Sequence, residues 1–240
     1  MLDEVWARLP AGWRPGRSPV VDHLVSFVVG NQAGPTRRLH LLYADARRLL
    51  RTTERHEALA MLENHLTQAV AEMTPRRLFV HAGVVGWKGR AILVPGASHT
   101  GKSTLVAALL AAGATYYSDE YAVLDPQGRV HPFPRALQLR DARDVATRVE
   151  PEQLGSRRGL DPLPVGLVAV ARYDQGARWR PARLTPGRAL LELLSNTIVA
   201  RSRPAVAMAT LGRVVSHVPS FKGRRGEGGE TAAWLLEAVG

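Results

Sequence analysis

Cysteine is absent from the 240-residue sequence. Disulfide scaffolds, thiolate metal sites and cysteine nucleophiles are therefore excluded. The sequence also lacks any apolar run of the ~20 residues that cross a bilayer. The stretch from Met1 to Trp6 has neither the basic flank nor the apolar segment of an export signal. We therefore expect a cytoplasmic protein with no membrane partner.

Lysine is scarce, because Lys88, Lys102 and Lys222 are the only lysines among 32 basic residues. Against 21 acidic residues the formal net charge is +11, an excess that attracts phosphate-bearing partners in general. The arginines are nevertheless spread along the whole sequence and accompany many Ala, Gly and Pro residues, as the codon bias of a GC-rich genome would produce. The charge therefore gives little support to a nucleic-acid partner, while an acidic or phosphorylated ligand remains open.

The N-terminal part of the sequence is predicted to form a small α+β region. Short β-branched or leucine-rich runs at 20–29 and 38–43 flank a turn-forming cluster, which indicates two or three strands. After Thr53, a capping candidate, apolar residues recur every three or four positions until Pro75. We predict three short strands and one amphipathic helix in residues 1–77.

Residues 78–240 are predicted to form one α/β domain. Two strands, at 78–85 and 90–94, join through a tight turn, and a helix from Lys102 to Ala112 follows them. Further strands are predicted near 115–117, 122–124, 165–171, 183–184 and 214–221, and further helices near 187–196, 204–213 and after Glu230. Alternation of strands and helices favours an α/β fold, here with a mixed central sheet.

A phosphate-binding motif follows the strand at 90–94. The segment Gly96–Ser103 reads Gly-Ala-Ser-His-Thr-Gly-Lys-Ser, which fits the Walker A pattern and lies between a strand and a helix, as that pattern requires. Glycines let backbone N–H groups curl around phosphate oxygens, and the helix adds its positive N-terminal end. Lys102 is predicted to reach the β- and γ-phosphates of ATP, and the Ser103 hydroxyl to ligate Mg²⁺. The predicted nucleotide-binding residues are Gly96, Ala97, Ser98, His99, Thr100, Gly101, Lys102, Ser103 and Thr104.

Two adjacent acids and one histidine accompany the motif. Asp119 and Glu120 follow the next predicted strand, where a P-loop fold often places a carboxylate that holds Mg²⁺. Neighbouring side chains in an extended segment point in different directions, so one acid can face an attacking hydroxyl while the other faces the metal. His81 lies in the strand that precedes the motif, and by sequence alone it is either a hydrogen-bonded structural residue or part of the site.

The order and spacing of these features resemble the catalytic core of the bacterial HPr kinase/phosphorylase family. The likeness runs through Phe79–Val85, Ile92–Ser103 and Gly113–Glu120, which supply a histidine before a hairpin, a P-loop, and an acidic pair directly after the following strand. The resemblance implies a shortened relative of that family's C-terminal catalytic domain, with a P-loop-containing, HPr kinase-like fold in residues 78–240.

This resemblance implies an ATP- and Mg²⁺-dependent kinase that phosphorylates a serine-type hydroxyl. Lys102 and Ser103 match the family residues that bind nucleotide and metal. Asp119 matches the first acid of the family pair, the candidate general base, and Glu120 matches the second acid, which is the candidate metal ligand. His81 matches the family histidine beside the phosphate site, so the implied catalytic residues are Asp119, Lys102 and His81.

Later motifs of the family are only partly present. Arg188 lies in a weak echo of a Gly-Arg motif, and Arg158 lies in a fragment of an Arg-Gly-Leu segment, so both are candidate substrate contacts. Glu120 stands where the family usually has aspartate, and His99 where small residues are common. Residues 1–77 do not resemble the family's usual N-terminal domain.

The acceptor is left open by the sequence. A serine on a peptide or protein is the leading prediction, as in kinases that tailor ribosomal peptides, and free serine or another small alcohol is a second. A nucleotide-binding regulatory or adaptor protein without phosphoryl transfer is the alternative class. The resemblance also allows a homo-oligomer.

Overall fold

A computed structural model describes residues 2–9, 13–30, 39–97, 100–140 and 146–239 of the chain. The chain divides into two compact units, Met1–Met73 and Thr74–Gly240. It combines a large mixed sheet with several helices, so the predicted α/β class is confirmed. Within the described residues, no helix has both the length and the apolar character that crossing a bilayer requires.

The first unit pairs a small antiparallel sheet with one long helix. Its elements are α1 (Leu2–Trp6), β1 (Val25–Val28), β2 (His40–Ala44), β3 (Arg47–Thr52) and α2 (Arg55–Met73). The strands lie in the order β1-β2-β3. Helix α2 buries Ala58, Leu59 and Leu62, which share one helical face. The short helix α1 was not predicted, and the first strand is shorter than the predicted run at 20–29.

The second unit contains ten strands and four α-helices among the described residues. Its strands are β4 (Leu78–Trp87), β5 (Arg90–Pro95), β6 (Thr115–Ser118), β7 (Tyr121–Leu124), β8 (Arg129–His131), β9 (Leu137–Arg140), β10 (Ala146–Val149), β11 (Leu163–Tyr173), β12 (Ala182–Arg183) and β13 (Ser220–Arg225). Its helices are α3 (Lys102–Ala111), α4 (Pro186–Ser195), α5 (Pro204–His217) and α6 (Gly228–Val239), with a short 3₁₀ helix at Pro151–Leu154.

The main sheet is mixed and partly closes on itself. Its strand order is β12-β13-β11-β5-β4-β7-β8, and β6 pairs with β4. Strand β11 runs parallel to β5 and to β13, whereas β4 and β5 form an antiparallel hairpin. A further antiparallel pairing joins β8 to β11, so five strands form a closed ring. The C-terminal ends of β5, β11 and β13 therefore lie at the same edge of the sheet.

Both faces of this sheet are covered by helices. Alternate side chains of each strand point to opposite faces. Leu93 and Val168 lie in the core that contains residues of α4 and α5, while Ile92 and Leu167 lie in the core that contains residues of α3 and α6. This double coverage explains why β5 and β11 read as nearly continuous apolar runs rather than as alternating ones.

The β4–β5 turn follows the local sequence closely. Lys88 and Gly89 have positive φ values of 46° and 76°, and Trp87 pairs with Arg90 across them. Two central residues with positive φ define the tight turn that suits the twist of a hairpin. This hairpin delivers β5 directly into the loop that precedes α3.

The predicted strand near 214–221 is wrong in its first half. Helix α5 continues to His217, and β13 begins only at Ser220. Ala207, Leu211, Val214 and Val215 are buried along one helical face, so their three- and four-residue spacing outweighs the β propensity of the two valines. Strand β13 then extends through Gly223 to Arg225, beyond the predicted end at 221.

Candidate functional site

The loop between β5 and α3, here called the glycine loop (residues 96–104), is tightly folded where it is described. Gly101 has a φ of 84° immediately before α3. At Gly96, an added Cβ would lie 2.9 Å from Thr100 Oγ1, whose hydroxyl donates to the Ala97 carbonyl at 2.8 Å. Glycine is thus favoured at Gly96 by the close approach of Thr100, and at Gly101 by the left-handed backbone.

Other residues of the predicted nucleotide set fall into two groups. Ser98 and His99 lie outside the described residues. Lys102, Ser103 and Thr104 form the first turn of α3, where the lysine is buried and the threonine is exposed. The first turn of a helix carries amides that have no partner within the helix, so this turn can donate hydrogen bonds to an anion.

Lys102 is a buried cation, only 6% exposed. Its Nζ donates to the Ala97 carbonyl at 2.7 Å. Burial lowers its pKa to about 8, although the charges of Asp119 and Glu120 oppose the change. Within the described part of the chain, this ammonium forms no ion pair. It is therefore a desolvated charge that an incoming anion would stabilise.

Asp119 lies at the end of β6 and is 8% exposed. Its Oδ2 accepts from Ser103 Oγ at 3.1 Å and from the Gln138 amide at 3.3 Å, and its Oδ1 lies 3.0 Å from the Tyr116 hydroxyl. The same hydroxyl lies 2.7 Å from the Arg135 carbonyl, so two acceptors compete for one hydrogen. Burial raises the pKa of Asp119, although these hydrogen bonds oppose the rise.

Glu120 points away from its neighbour. Its Oε2 pairs with Arg135 Nη1 at 3.0 Å, and the Arg135 guanidinium lies 5.8 Å from the centre of the Phe133 ring. Ser103 and Glu120 are the two predicted metal ligands. The Ser103 hydroxyl donates a hydrogen bond to Asp119. The structure thus brings the first acid to the Ser103 hydroxyl of the glycine loop.

His81 fixes the start of the glycine loop. Its Nδ1 donates to the Gly96 carbonyl at 2.8 Å, and the Gly96 amide donates back to the His81 carbonyl at 3.2 Å. Because a carbonyl only accepts, the neutral ring carries its proton on Nδ1. Burial, together with the charge of Lys102, lowers the pKa of His81 and favours that neutral form. The ring of Tyr121 packs edge-on at 5.3 Å.

The two predicted arginine contacts are placed differently. Arg158 forms ion pairs with Glu150 and Glu152, which occupy its guanidinium. Arg188 lies in the first turn of α4, where its side chain is exposed and its amide donates to Thr185 Oγ1. Neither arginine has a contact with the glycine loop among the described residues.

Three residues of this region were missed by the sequence analysis: Tyr116, Arg135 and Arg225. Tyr116 lies in the strand that leads to the acids, but all four residues of that strand carry hydroxyls, so nothing in the sequence singled it out. Arg135 and Arg225 gave no signal, because they are separated from their partners by long stretches of chain. Arg225 Nη2 donates to the Gly101 carbonyl at 2.6 Å.

The donor set beside the glycine loop suits a hard cation. Among the described residues, no group of three or more His, Asp or Glu side chains could hold a metal ion by itself. Ser103 and Asp119 supply a hydroxyl and a carboxylate, with Glu120 nearby. Mg²⁺ prefers oxygen ligands and is usually bound by one or two carboxylates together with substrate phosphates, so these residues fit Mg²⁺ only when a phosphate accompanies it.

Comparison with known proteins adds no family to this picture. No protein-family model matches the chain, and a search of curated proteins finds no significant match. The functional assignment therefore rests on the residues and their geometry.

Proposed function

We propose that this protein is an ATP- and Mg²⁺-dependent kinase that transfers the γ-phosphoryl group to a serine-type hydroxyl on a peptide or protein. The observation that carries the proposal is the 3.1 Å hydrogen bond from Ser103 Oγ to Asp119 Oδ2. It joins Ser103, the metal-binding position of a Walker A motif, to the buried carboxylate of Asp119, which directly follows β6. Phosphoryl transfer needs these two groups side by side.

The triphosphate would bind at the glycine loop. The amides of the first turn of α3 and the Lys102 ammonium are the donors for its oxygens. A phosphate offers Lys102 a charged acceptor in place of the Ala97 carbonyl, and charge-assisted hydrogen bonds are about twice as strong as neutral ones. Nucleotide binding is thus expected to raise the pKa of Lys102 back toward its ordinary value.

Mg²⁺ would be held by Ser103 and, as the resemblance implies, by Glu120, together with the phosphates. When bound, the ion neutralises charge on the β- and γ-phosphates. Ser103 would hold the ion through an oxygen lone pair while its O–H still donates to Asp119 Oδ2, so the hydrogen bond would keep that carboxylate in place. His81 keeps its role at the start of the loop, where its Nδ1–H holds the Gly96 carbonyl.

Asp119 is the proposed general base. The acceptor oxygen forms a bond to the γ-phosphorus, its proton passes to the Asp119 carboxylate, and the bond from phosphorus to the bridging oxygen breaks to release ADP. Burial raises the pKa of Asp119 and so makes its carboxylate a better proton acceptor than an exposed aspartate. A positioned base of this kind contributes about 10²–10⁴-fold to rate.

The fold of residues 78–240 is proposed to be HPr kinase-like. The resemblance in Phe79–Glu120 and the mixed sheet support it, because the sheet brings His81, the glycine loop and Asp119 together in the order that the family motif implies. Glu120 stands where the family usually has aspartate, so the acceptor protein is identified by experiment and not by the resemblance.

The test is phosphorylation of a panel of serine-containing peptides, proteins and free serine, incubated with Mg-ATP and analysed by mass spectrometry. Wild-type protein is expected to add one phosphate to at least one acceptor. Lys102→Met is expected to lose this activity, since it keeps the aliphatic stem and removes the charge. Lys222→Ala is the matched control, because Lys222 is an exposed lysine paired with Glu192 at 2.6 Å.

A second function is favoured by one observation. The Glu120 carboxylate is held by Arg135, and the Lys102 ammonium by a carbonyl of its own loop, which suits a protein that binds nucleotide without turning it over. Tight ATP binding by wild-type protein, with no phosphorylated product from any acceptor, would support this regulatory role and contradict the kinase.

A further inference from the structure

Arg225 is the most deeply buried cation of the described chain. It is 1% exposed and ends β13, beside the C-terminal end of β11. Its guanidinium carbon lies 5.5 Å from the centre of the Tyr173 ring. A buried arginine usually ends on a carboxylate, because an unpaired buried charge is costly. Among the described residues, Arg225 forms no ion pair.

The guanidinium instead spans two backbone carbonyls. Nη2 donates to the Gly101 carbonyl at 2.6 Å, and Nη1 donates to the Gly226 carbonyl at 2.7 Å. Gly101 directly precedes α3, and Gly226 lies two residues before α6. One side chain therefore ties together the starts of two helices that pack in the same core.

The site leaves part of this guanidinium unsatisfied. Nε is buried and has no hydrogen-bond partner among the described residues. The space around Gly101 is also filled, since an added Cβ there would lie 2.6 Å from Arg225 Nη2 and 3.1 Å from Tyr173 Cβ. The guanidinium therefore packs against the turn that starts α3, and the charge of Glu227 acts on it without forming an ion pair.

We propose that Arg225 is a positioning residue for phosphate binding: it holds the Gly101 carbonyl away from the ligand, so that the amides at the start of α3 point toward the phosphates. Its charge adds to that of Lys102, since each cation donates to a carbonyl of the glycine loop. A polyanion compensates both cations at once. Phosphates therefore bind more tightly when the guanidinium is in place, although the buried Arg225 acts through Gly101.

This inference rests on the proposed function, because it needs a phosphate-bearing ligand. The test measures the affinity of ADP with Mg²⁺ by calorimetry for wild type, Arg225→Lys and Arg224→Lys. Arg224 is the matched control, since it is the preceding residue of β13, is exposed, and pairs with Asp174 at 3.0 Å. Both variants keep their charge, so a difference between them reports the geometry of the guanidinium.

Arg225→Lys is expected to weaken ADP binding about tenfold, because one ammonium cannot reach both carbonyls and one charged hydrogen bond is lost. Arg224→Lys is expected to stay within about twofold of wild type, as exposed ion pairs contribute little. A purely structural arginine would lower the free energy of unfolding but leave the ADP affinity of the folded protein unchanged.

Equal affinities for the two folded variants would overturn the inference and leave the proposed function standing. Failure of the wild-type protein to bind ADP would overturn both. Should Arg225→Lys fail to fold, the side-chain Nε–H resonance of Arg225 in labelled wild-type protein gives the second measurement. It is expected to shift when Mg-ADP is added, while that of Arg224 stays in place, and an unshifted Arg225 resonance would overturn the inference.

Discussion

The two sides of the glycine loop carry opposite charges. On the acidic flank, formed by Asp119 and Glu120 between β6 and β7, carboxylates lie against Ser103 and Arg135. On the cationic flank, formed by Tyr173 and Arg225 at the ends of β11 and β13, a guanidinium lies against Gly101. A nucleotide needs both: oxygen ligands and a base for chemistry on one side, and positive charge for its phosphates on the other.

The flanks also differ in how their charges are satisfied. Asp119 is surrounded by hydrogen-bond donors from three directions, which keeps a buried carboxylate tolerable. Arg225 has two carbonyls and, among the described residues, an unpartnered Nε. The carboxylate of Asp119 is therefore satisfied within the chain, whereas we expect the cationic flank to gain most from an anion.

The largest effect is expected on the acidic flank. Asp119→Asn should lower the rate of phosphoryl transfer by about 10³-fold, because the general base is lost, while ADP still binds. Glu120→Gln is the comparison, and it should lower the rate by only about tenfold if that acid assists the metal. Single-turnover kinetics with Mg-ATP measures both. Equal losses in the two variants would show that the acidic flank works as a pair and not through Asp119.

The pH dependence of nucleotide affinity tests the charge of the loop between the flanks. Because burial lowers the pKa of Lys102 to about 8, this lysine is already protonated below that pH, and ADP affinity should be flat there. Above it, binding must take up a proton, so affinity should fall by up to about tenfold per pH unit. Calorimetric titration with ADP and Mg²⁺ from pH 7 to 10 measures this.

Lys102→Met supplies the control for that profile. Without a titrating ammonium, its weaker ADP affinity should not change across the same range. A wild-type profile that stays flat to high pH would contradict the desolvation of Lys102.

The smallest effect is expected for the tyrosine behind the general base. Tyr116→Phe removes a hydrogen bond that lowers the pKa of Asp119, so the rise of transfer rate with pH should move to higher pH. The rate at neutral pH should fall about fivefold, since one hydrogen bond contributes roughly 1 kcal/mol. Tyr117→Phe is the control, because its hydroxyl donates to the Asp161 carbonyl at 2.7 Å. Identical pH profiles for both variants would remove Tyr116 from the site.

The acidic flank and the glycine loop were largely predictable from sequence, because they depend on local patterns. The positions of β5, the loop and α3 follow from an apolar run, two glycines and a helical period. Gly113, with a φ of 96°, ends the helix as its sequence predicts. The contact between Ser103 and Asp119 arises because β5 and β6 both pair with β4 in the same sheet.

The cationic flank was not predictable, because it depends on tertiary pairing. Gly101 and Arg225 are 124 positions apart, and no local pattern links them. The residues 220–225 form a strand only because β11 offers its edge, with Ala171 beside Gly223 and Tyr173 beside Arg225. The antiparallel pairing of β9 with β10 was likewise missed, although Leu137–Arg140 alternates apolar and polar residues over its four positions.

The most direct test of the account is a crystal structure with Mg²⁺ and a non-hydrolysable ATP analogue. We expect the γ-phosphate in direct contact with Lys102 Nζ and the amides of the first turn of α3. The Asp119 carboxylate is expected to face the side of the γ-phosphate that the acceptor hydroxyl attacks. A triphosphate bound elsewhere, or a γ-phosphate separated from Asp119 by other protein groups, would contradict the account.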